Sequence, residues 1–366
     1  MEKTKSRFII IGSGWRAMYY ARIAAALPES FELCAMLCRS QEKADAVHVA
    51  QGIYTTTSIE ECRRMKPDFV VVAVSKASIA EVTLEWASYG FPVLCETPAA
   101  LDEENLCGLW EAHLKGAVIL SAEQYTRYPL YQAMVKVLDS NLIGAPDGAV
   151  VSLAHGYHGA SLIRAFLREG MTAFRVSGRE FTFPTTETLS RYERFTDGRV
   201  GMKKRTTAVI EFQDGKVALF DFDSEQYRSP IRHNYVNIRG CRGEMKDEVF
   251  YYLDQENQPV EASLEANSRR VRTASENPNL REFAEVTGIT FQGKSVYTPP
   301  FGRCGLSEDE TAIALVMADV AACGAGKKEA DYPLREALQD CYMAILLEKS
   351  VKEGWPVESK KMPWQE

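Results

Sequence analysis

An excess of positive charge is missing from this 366-residue chain: 43 lysines and arginines stand against 50 aspartates and glutamates, a formal net charge of −7. That balance gives no general attraction for nucleic acid or for an anionic membrane surface. Long apolar runs are missing too, and no basic segment followed by an apolar one opens the chain. No membrane partner is expected, and the location expected is cytoplasmic. The nine cysteines include no Cys-x-x-Cys pair. Their odd number, with Cys34 and Cys95 inside predicted strands, points to reduced core thiols. Cys34 and Cys38 lie on an extended segment, a poor metal geometry, and the five histidines have no carboxylates clustered around them. No structural metal is expected. Internal repeats and low-complexity segments are also lacking.

With 46% hydrophobic and 25% charged residues, the chain has the composition of a globular protein long enough for two domains. The most informative stretch is Arg7-Phe8-Ile9-Ile10-Ile11-Gly12-Ser13-Gly14-Trp15-Arg16-Ala17. An Ile-rich strand runs straight into Gly-x-Gly-x-x-Ala, and a helical pattern follows to Leu27. Gly12 permits the tight turn, Gly14 leaves the backbone open to a pyrophosphate, and Ala17 lets the helix lie close to the strand. The free N–H groups and positive dipole end of the helix then face phosphates.

Strands and helices alternate through the first third. Phe31–Leu37, Phe69–Val74, Pro92–Cys95 and Val118–Ser121 read as buried strands. Helices are expected over Gln41–Gln51, from a capping box at Ser58-Ile59-Glu60-Glu61, over Ala77–Tyr89, and from Asp102 to Lys115. This order predicts an α/β Rossmann domain, a parallel doubly wound sheet, over residues 1–123. The pattern changes near Tyr125. A helix follows Pro129, and from Gly148 strands come with few helices between them. Thr206–Phe212 and Lys216–Phe222 form a hairpin around Asp214-Gly215, and Ile231–Arg239 adds a strand. Residues 256–279 read as an exposed polar excursion, followed by helices near Ser307–Ala322 and Leu334–Glu353. Residues 124–366 are therefore expected to form an α+β domain with a largely antiparallel open sheet.

Four motifs then line up: Gly12-Ser13-Gly14, Lys66-Pro67-Asp68 before an apolar strand, Cys95-Glu96-Thr97-Pro98, and His158-Gly159-Ala160-Ser161-Leu162-Ile163-Arg164. Together they resemble the glucose–fructose oxidoreductase, inositol dehydrogenase and rhizopine-catabolism (Gfo/Idh/MocA) family. The resemblance covers nearly the whole chain and implies a nicotinamide dinucleotide cofactor and oxidation or reduction of a small sugar-like polyol or carbonyl. The chain departs from the family at its catalytic positions. The family's Cys-Glu-Lys-Pro lysine is Thr97 here. The aspartate of its Asp-x-x-x-His is Ala154, that of its His-x-x-Asp-Leu is Ser161, and its Asn-x-x-His positions hold Lys76 and Ile79. The segment between Thr97 and His158 is also shorter than the family's.

The cofactor contacts expected are Gly12, Ser13, Gly14, Trp15 and Arg16 in the first turn, Val74 and Ser75 after the Phe69–Val74 strand, and Glu96 with Thr97. Arg39 and Ser40 follow the second strand, where an acid would otherwise read the adenine ribose; Cys38 cannot. An arginine fork and a hydroxyl suit a 2′-phosphate, so NADP is expected, with NAD as the alternative. His158 is the expected proton carrier, with His155 and Tyr157 beside it. Lys76 is the candidate cation for a developing alkoxide. Glu123, Tyr125 and Arg127 follow the last Rossmann strand, facing a cleft or packing between domains. Arg232 and His233 alternate along a strand, one of them facing a pocket or an interface.

Two functions fit. One is a hydride-transferring NADP(H) oxidoreductase. The other is a dinucleotide-bound sensor or scaffold, as in a fungal repressor of the same family, favoured by the joint loss of lysine and aspartate. A homodimer or homotetramer through the exposed sheet face is expected.

Overall fold

The computed structural model describes residues 5–190, 193–273 and 278–365. These divide into two units: the chain up to Gln124 together with Cys304–Tyr342, and Tyr125–Arg303 together with Met343–Gln365.

The first unit holds β1 (Ser6–Ile11), α1 (Ala17–Ala26), β2 (Phe31–Leu37), α2 (Gln41–Gln51), β3 (Thr55–Thr56), α3 (Ile59–Arg64), β4 (Phe69–Val72), α4 (Ile79–Ser88), β5 (Val93–Cys95), α5 (Glu103–Leu114) and β6 (Ile119–Ser121). Its strands are all parallel, in the order β3-β2-β1-β4-β5-β6. This is the doubly wound Rossmann order, and the chain switches direction between β1 and β4. The central strand is dry: Phe8, Ile9 and Ile10 are fully buried, and Phe8 stacks on Phe69 with ring centroids 5.3 Å apart. Each such side chain contributes about 1.5–3 kcal/mol by leaving water. The helix ends follow local chemistry. The Ser40 hydroxyl accepts the Lys43 N–H, Asp102 accepts the Asn105 N–H, and Gly52 closes α2 at φ +66°. The capping box at Ser58 is half formed. Its hydroxyl accepts the Glu61 N–H, but the Glu61 carboxylate turns instead to the Thr56 and Tyr54 hydroxyls.

The second unit holds α6 (Pro129–Asp139), β7 (Pro146–Ser152), α7 (Gly156–Leu167), β8 (Phe174–Thr186), β9 (Val200–Phe212), β10 (Val217–Asp223), β11 (Tyr235–Gly240), β12 (Gly243–Lys246), β13 (Val249–Leu253), β14 (Pro259–Arg272), α8 (Pro278–Arg281), β15 (Glu282–Phe291) and β16 (Lys294–Tyr297). Two helices, α9 (Glu308–Gly324) and α10 (Leu334–Glu353), and a short β17 (Val357–Glu358) complete the chain. The strands of the second unit form one 11-stranded sheet, antiparallel except for the pairing of β7 with β10. The expected hairpin joins β9 to β10. Its turn is longer than two residues. The Gly215 N–H donates to the Phe212 carbonyl, and Gly215 takes φ +95°, a bulged turn open to glycine.

Two expectations are corrected. Within 256–279, residues 259–272 are a 14-residue strand, β14, paired with β13 and β15; residues 274–277 lie outside the described residues. Apolar residues alternate only at Val260, Ala262 and Leu264, and from Glu265 on nearly all its side chains are exposed, so no sustained alternation marks it. The strand expected at Ile231 begins at Tyr235, which leaves Arg232 and His233 on a loop where alternation does not apply. Residues 304–342 group with the first unit. There α9 packs on α1, β4 and β5, and a Cβ on Gly324 would lie 2.5 Å from Pro92 Cγ. Ile313 and Met317 are fully buried on that helix.

Candidate functional site

The glycine turn sits at the carboxyl end of β1, beside β4. Gly12 takes φ +109°, and a Cβ there would stand 2.4 Å from the Ala73 carbonyl oxygen. Any other residue would push these strands apart or refold the turn. Gly14 is exposed, with nothing within 4 Å of where its Cβ would be. Ala17, the first residue of α1, is fully buried. A closed glycine, an open glycine and a buried alanine are the cradle that a pyrophosphate at a helix N-terminus requires, so these residues fit a dinucleotide. Ser13 and Trp15 are half-buried in the same turn, with Trp15 4.7 Å from the Tyr19 ring. Val74 Cγ1 would be 3.5 Å from a Gly12 Cβ, and the Ser75 hydroxyl pairs with that of Ser78 at 3.1 Å. Arg39 is exposed beside Ser40, the α2 cap. Lys76 is exposed and opens the short turn Lys76–Ser78 after β4.

Arg16 does not point into open space. Its Nε donates to Glu96 Oε1 at 2.9 Å, and its Nη1 donates to Asp309 Oδ2 at 2.7 Å. The Tyr20 hydroxyl donates to the same Glu96 oxygen at 2.6 Å, and the Thr97 N–H donates to Oε2 at 3.2 Å. Gln124 Nε2 donates to Asp309 Oδ1 at 3.1 Å. Burial works against the Arg16 charge, but Asp309 and Glu96 outweigh it and hold its pKa well above the ordinary value. Burial, then the Glu96 carboxylate, push the Tyr20 hydroxyl well up. One cation thus faces two carboxylates, and the neutral Thr97 adds no charge. Glu96, expected at backbone or cofactor ribose, is held by protein groups. Tyr20, Asp309 and Gln124 were not legible as site residues. Asp309 reaches Arg16 across 293 positions of chain, a separation no local motif reports.

The histidine cluster lies wholly in the second unit. A Gly159 Cβ would stand 2.5 Å from Phe220 Cε2, so the glycine brings α7 down onto β10. His158, on the first turn of that helix, is buried. Its ring lies 4.4 Å from Tyr125, 4.3 Å from Tyr157 and 5.1 Å, edge-on, from His155. Tyr125 in turn stacks on Tyr128 at 4.8 Å. His158 is therefore wrapped in aromatic rings, and Ala154 is fully buried where the family carries its acid. His155 caps α7 and has a partner that sequence reading missed. The His155 N–H donates to the Tyr227 hydroxyl oxygen at 3.1 Å, and that hydroxyl also meets Nδ1. Tyr227 thus holds His155 at both its backbone N–H and its Nδ1.

His155 and Phe222 wall two cavities. One, of about 680 Å³, runs over Thr206, Phe220 and the α10 side chains Leu347 and Val351. The other, of about 500 Å³, runs past Phe195, Lys203 and Tyr227. Among the remaining candidates, Glu123 is buried, and the Arg127 carbonyl accepts Gln132 Nε2 at 2.6 Å. Arg232 lies 3.6 Å from Asp223, and His233 is exposed. The cysteines are free thiols, and burial pushes those of Cys95 and Cys341 up to about 12. Among the described residues no helix is long and apolar enough to cross a membrane.

Fold and turn together define a dinucleotide-binding Rossmann domain joined to an open-sheet domain. Residues 6–124 match the model of the family described as "Oxidoreductase family, NAD-binding Rossmann fold". The match covers the dinucleotide-binding domain, about a third of the chain. No curated protein sequence matches it. Solved structures share its fold over nearly its full length. An oxidoreductase from Agrobacterium radiobacter, in complex with NAD+, L-tartaric acid and magnesium, is 16% identical, with a TM-score of 0.65 over 97% of this chain and 98% of its own. A Desulfitobacterium hafniense protein provisionally described as an NADPH-dependent oxidoreductase is 16% identical, with a TM-score of 0.64 over 98% of each chain. The WlbA dehydrogenase of Bordetella pertussis, in complex with NADH and UDP-GlcNAcA, is 17% identical, with a TM-score of 0.64 over 99% of each chain.

Proposed function

We propose that this protein is an NADP(H)-dependent oxidoreductase acting on a small sugar-like polyol or carbonyl. The observation that carries the reading is the Gly12–Ala73 approach beside the open Gly14, inside a domain of an oxidoreductase family. Gly12, Ser13, Gly14 and Trp15 would hold the pyrophosphate, with Val74 and Ser75 beside them. Arg39 and Ser40 would take a 2′-phosphate. Arg16 acts indirectly in this reading. It fixes Glu96, and Glu96 fixes the Thr97 backbone.

When bound, the nicotinamide supplies or accepts the hydride. His158 exchanges the substrate hydroxyl proton, with Tyr157 and His155 shaping its surroundings. Lys76 is the candidate cation for the alkoxide. Titration with NADPH and NADH, followed by a panel of polyols and sugars with NADP+, tests the reading. NADPH is expected to bind more tightly, and Arg39→Ala is expected to erase most of the preference. Equal affinities in the parent protein would remove the NADP assignment and leave NAD.

One observation favours a second reading, a cofactor-bound sensor without turnover. At Glu96–Thr97 the family lysine is absent, and the nearby cation, Arg16, is already bonded to two carboxylates. If Thr97→Lys with Ala154→Asp creates dehydrogenase activity where the parent has none, the sensor is the better description. The assembly we propose is a dimer or tetramer through the open face of the large sheet. Val209, Val217, Leu219 and Tyr235 are 37–44% exposed there. Light scattering that finds a monomer at micromolar concentration rules it out.

A further inference from the structure

We propose that the second unit holds a phosphate-monoester site, a cavity of about 600 Å³ that binds a small dianionic ester and leaves it unchanged. The proposal goes beyond the oxidoreductase reading and does not depend on it. Its ground is charge. Arg194, Arg228 and Arg281 line this cavity against a single carboxylate, that of Glu193. The chain as a whole carries a net −7, so three guanidinium groups drawn from three separate segments are not a sample of its average surface. The other cavities described are balanced. One sets Arg179 and Lys352 against Glu180 and Glu348, one sets Lys203 and Arg228 against Glu187 and Glu225, and one beside α6 sets Lys136 against Asp139. Only the arginine-lined cavity among them has a surplus of positive charge. Like charges around a common space repel one another, and an anion placed in that space turns the repulsion into attraction.

Local structure brings the cations together. Leu189 and Arg194 pair as an antiparallel bridge, and the Phe195 N–H donates to the Thr188 carbonyl at 2.8 Å. The Thr188 hydroxyl donates to the Ser229 hydroxyl at 3.0 Å, which ties this segment to the short turn Ser224–Tyr227 and the Arg228 that follows it. Arg228 is half-buried, with its guanidinium 5.9 Å from the Tyr227 ring. Arg194 is exposed, as is Arg281 at the end of α8. An arginine fork binds an oxyanion through paired N–H groups, and three forks match the three terminal oxygens of a phosphate monoester, where a carboxylate offers two. Leu189 and Phe195 add apolar wall for the organic group, and the volume lies in the roughly 300–1,000 Å³ range of small-ligand sites. Among the described residues of the wall there is no histidine, lysine or cysteine, and arginine does not give up its proton. The cavity is therefore equipped to hold an ester rather than to react with it.

The test is calorimetric titration of the full chain in phosphate-free buffer. The probes are phenyl phosphate, the monoanion phenyl sulfate, the dicarboxylate phthalate, inorganic phosphate and phenol. Phenyl phosphate is expected to bind most tightly, with phenyl sulfate and phthalate at least about tenfold weaker, and to be recovered intact. Arg194→Gln and Arg281→Gln, both at exposed positions, are each expected to weaken it at least about fivefold, and Glu193→Gln to tighten it about two- to fivefold. Arg39→Ala is expected to leave phenyl phosphate within about twofold, which separates this cavity from the dinucleotide turn. Thermal melts of the variants check that they fold. The proposal is overturned if phenyl sulfate or phthalate binds as tightly as phenyl phosphate, if both arginine variants keep full affinity while folded, if Arg39→Ala abolishes the binding, or if the ester is hydrolysed. Phenyl phosphate binding in a parent protein that takes neither NADPH nor NADH would instead sink the oxidoreductase reading and leave this site standing.

Discussion

The two units hold their polar groups in opposite ways. In the first, one guanidinium, two carboxylates, a phenol and two amide groups interlock, and each hydrogen bond named around Arg16 has both partners within protein. In the second, His155 and His158 sit among aromatic rings, and room is left over: two cavities open from the wall that His155 shares with Phe222. A densely bonded network holds a backbone in place, as a cradle for a dinucleotide would require. A roomy aromatic cluster leaves shape to be filled, as recognition of a particular substrate demands. In the function proposed above, the first unit would set cofactor geometry and the second selectivity.

The sharpest way to break this comparison is at the two glycines. Gly12→Ala should lower stability by about 2–4 kcal/mol and abolish NADPH binding, because a Cβ meets the Ala73 carbonyl at a left-handed φ. Gly14→Ala should change stability by less than about 0.5 kcal/mol yet weaken NADPH at least about tenfold, since only a ligand would meet its methyl group. Thermal melts and fluorescence titration read both, and a Gly14→Ala variant with full affinity would contradict the cradle.

Next in size is His158→Asn. If the aromatic cluster carries the proton chemistry, turnover falls about 10²–10⁴-fold while NADPH affinity is kept. Unchanged turnover would remove His158 from the mechanism.

The smallest effects lie in pH. Tyr20, held above its ordinary value by burial and Glu96, keeps its proton in the folded state after the unfolded chain begins to lose it. Stability from this group is complete below about pH 10 and drains away as pH rises beyond it, so Tyr20→Phe should flatten the alkaline limb of stability against pH. Asp221 in the second unit has the opposite sign. Burial works to raise it, but the hydrogen bonds from Arg205 and Tyr235 prevail and hold it below the ordinary carboxylate value. Its contribution is present above about pH 4 and is lost as acid protonates it in the folded state, so Asp221→Asn should flatten the acid limb. Chemical denaturation at a series of pH values checks both, and exchanged limbs would refute the assignment.

How much was legible follows from how far each feature reaches along the chain. Gly12, the caps at Ser40 and Asp102, and the buried strands of the first sheet are each specified within a few residues, and reading them in order yields the Rossmann domain. The strand over 259–272 was missed because its alternation stops at Leu264 and the rest is polar and exposed. Pairing with its neighbours makes it a strand, and pairing is not local. Arg16 was legible as a residue of the phosphate turn, but its partner Asp309 lies far along the chain. Tyr227 was invisible for the same reason: its bond to His155 spans 72 positions between two loops. His158 was found only because its motif resembles a family's, and its aromatic wrapping comes from Tyr125 in the turn before α6 and from Tyr157 and His155 beside it.

The late position of α9 also bears on the birth of the molecule. The sheet of the first unit is complete in sequence at Ser121, but the helix that covers α1, β4 and β5 leaves the ribosome only after Ser307 has been joined. At about 5–20 residues per second, the nascent sheet waits roughly 10–40 s with one flank bare. During that interval Arg16 has no Asp309 and Arg22 has no Glu310. Truncated chains released before Ser307 should therefore be the species that chaperones capture, and an added peptide spanning 304–342 should rescue them.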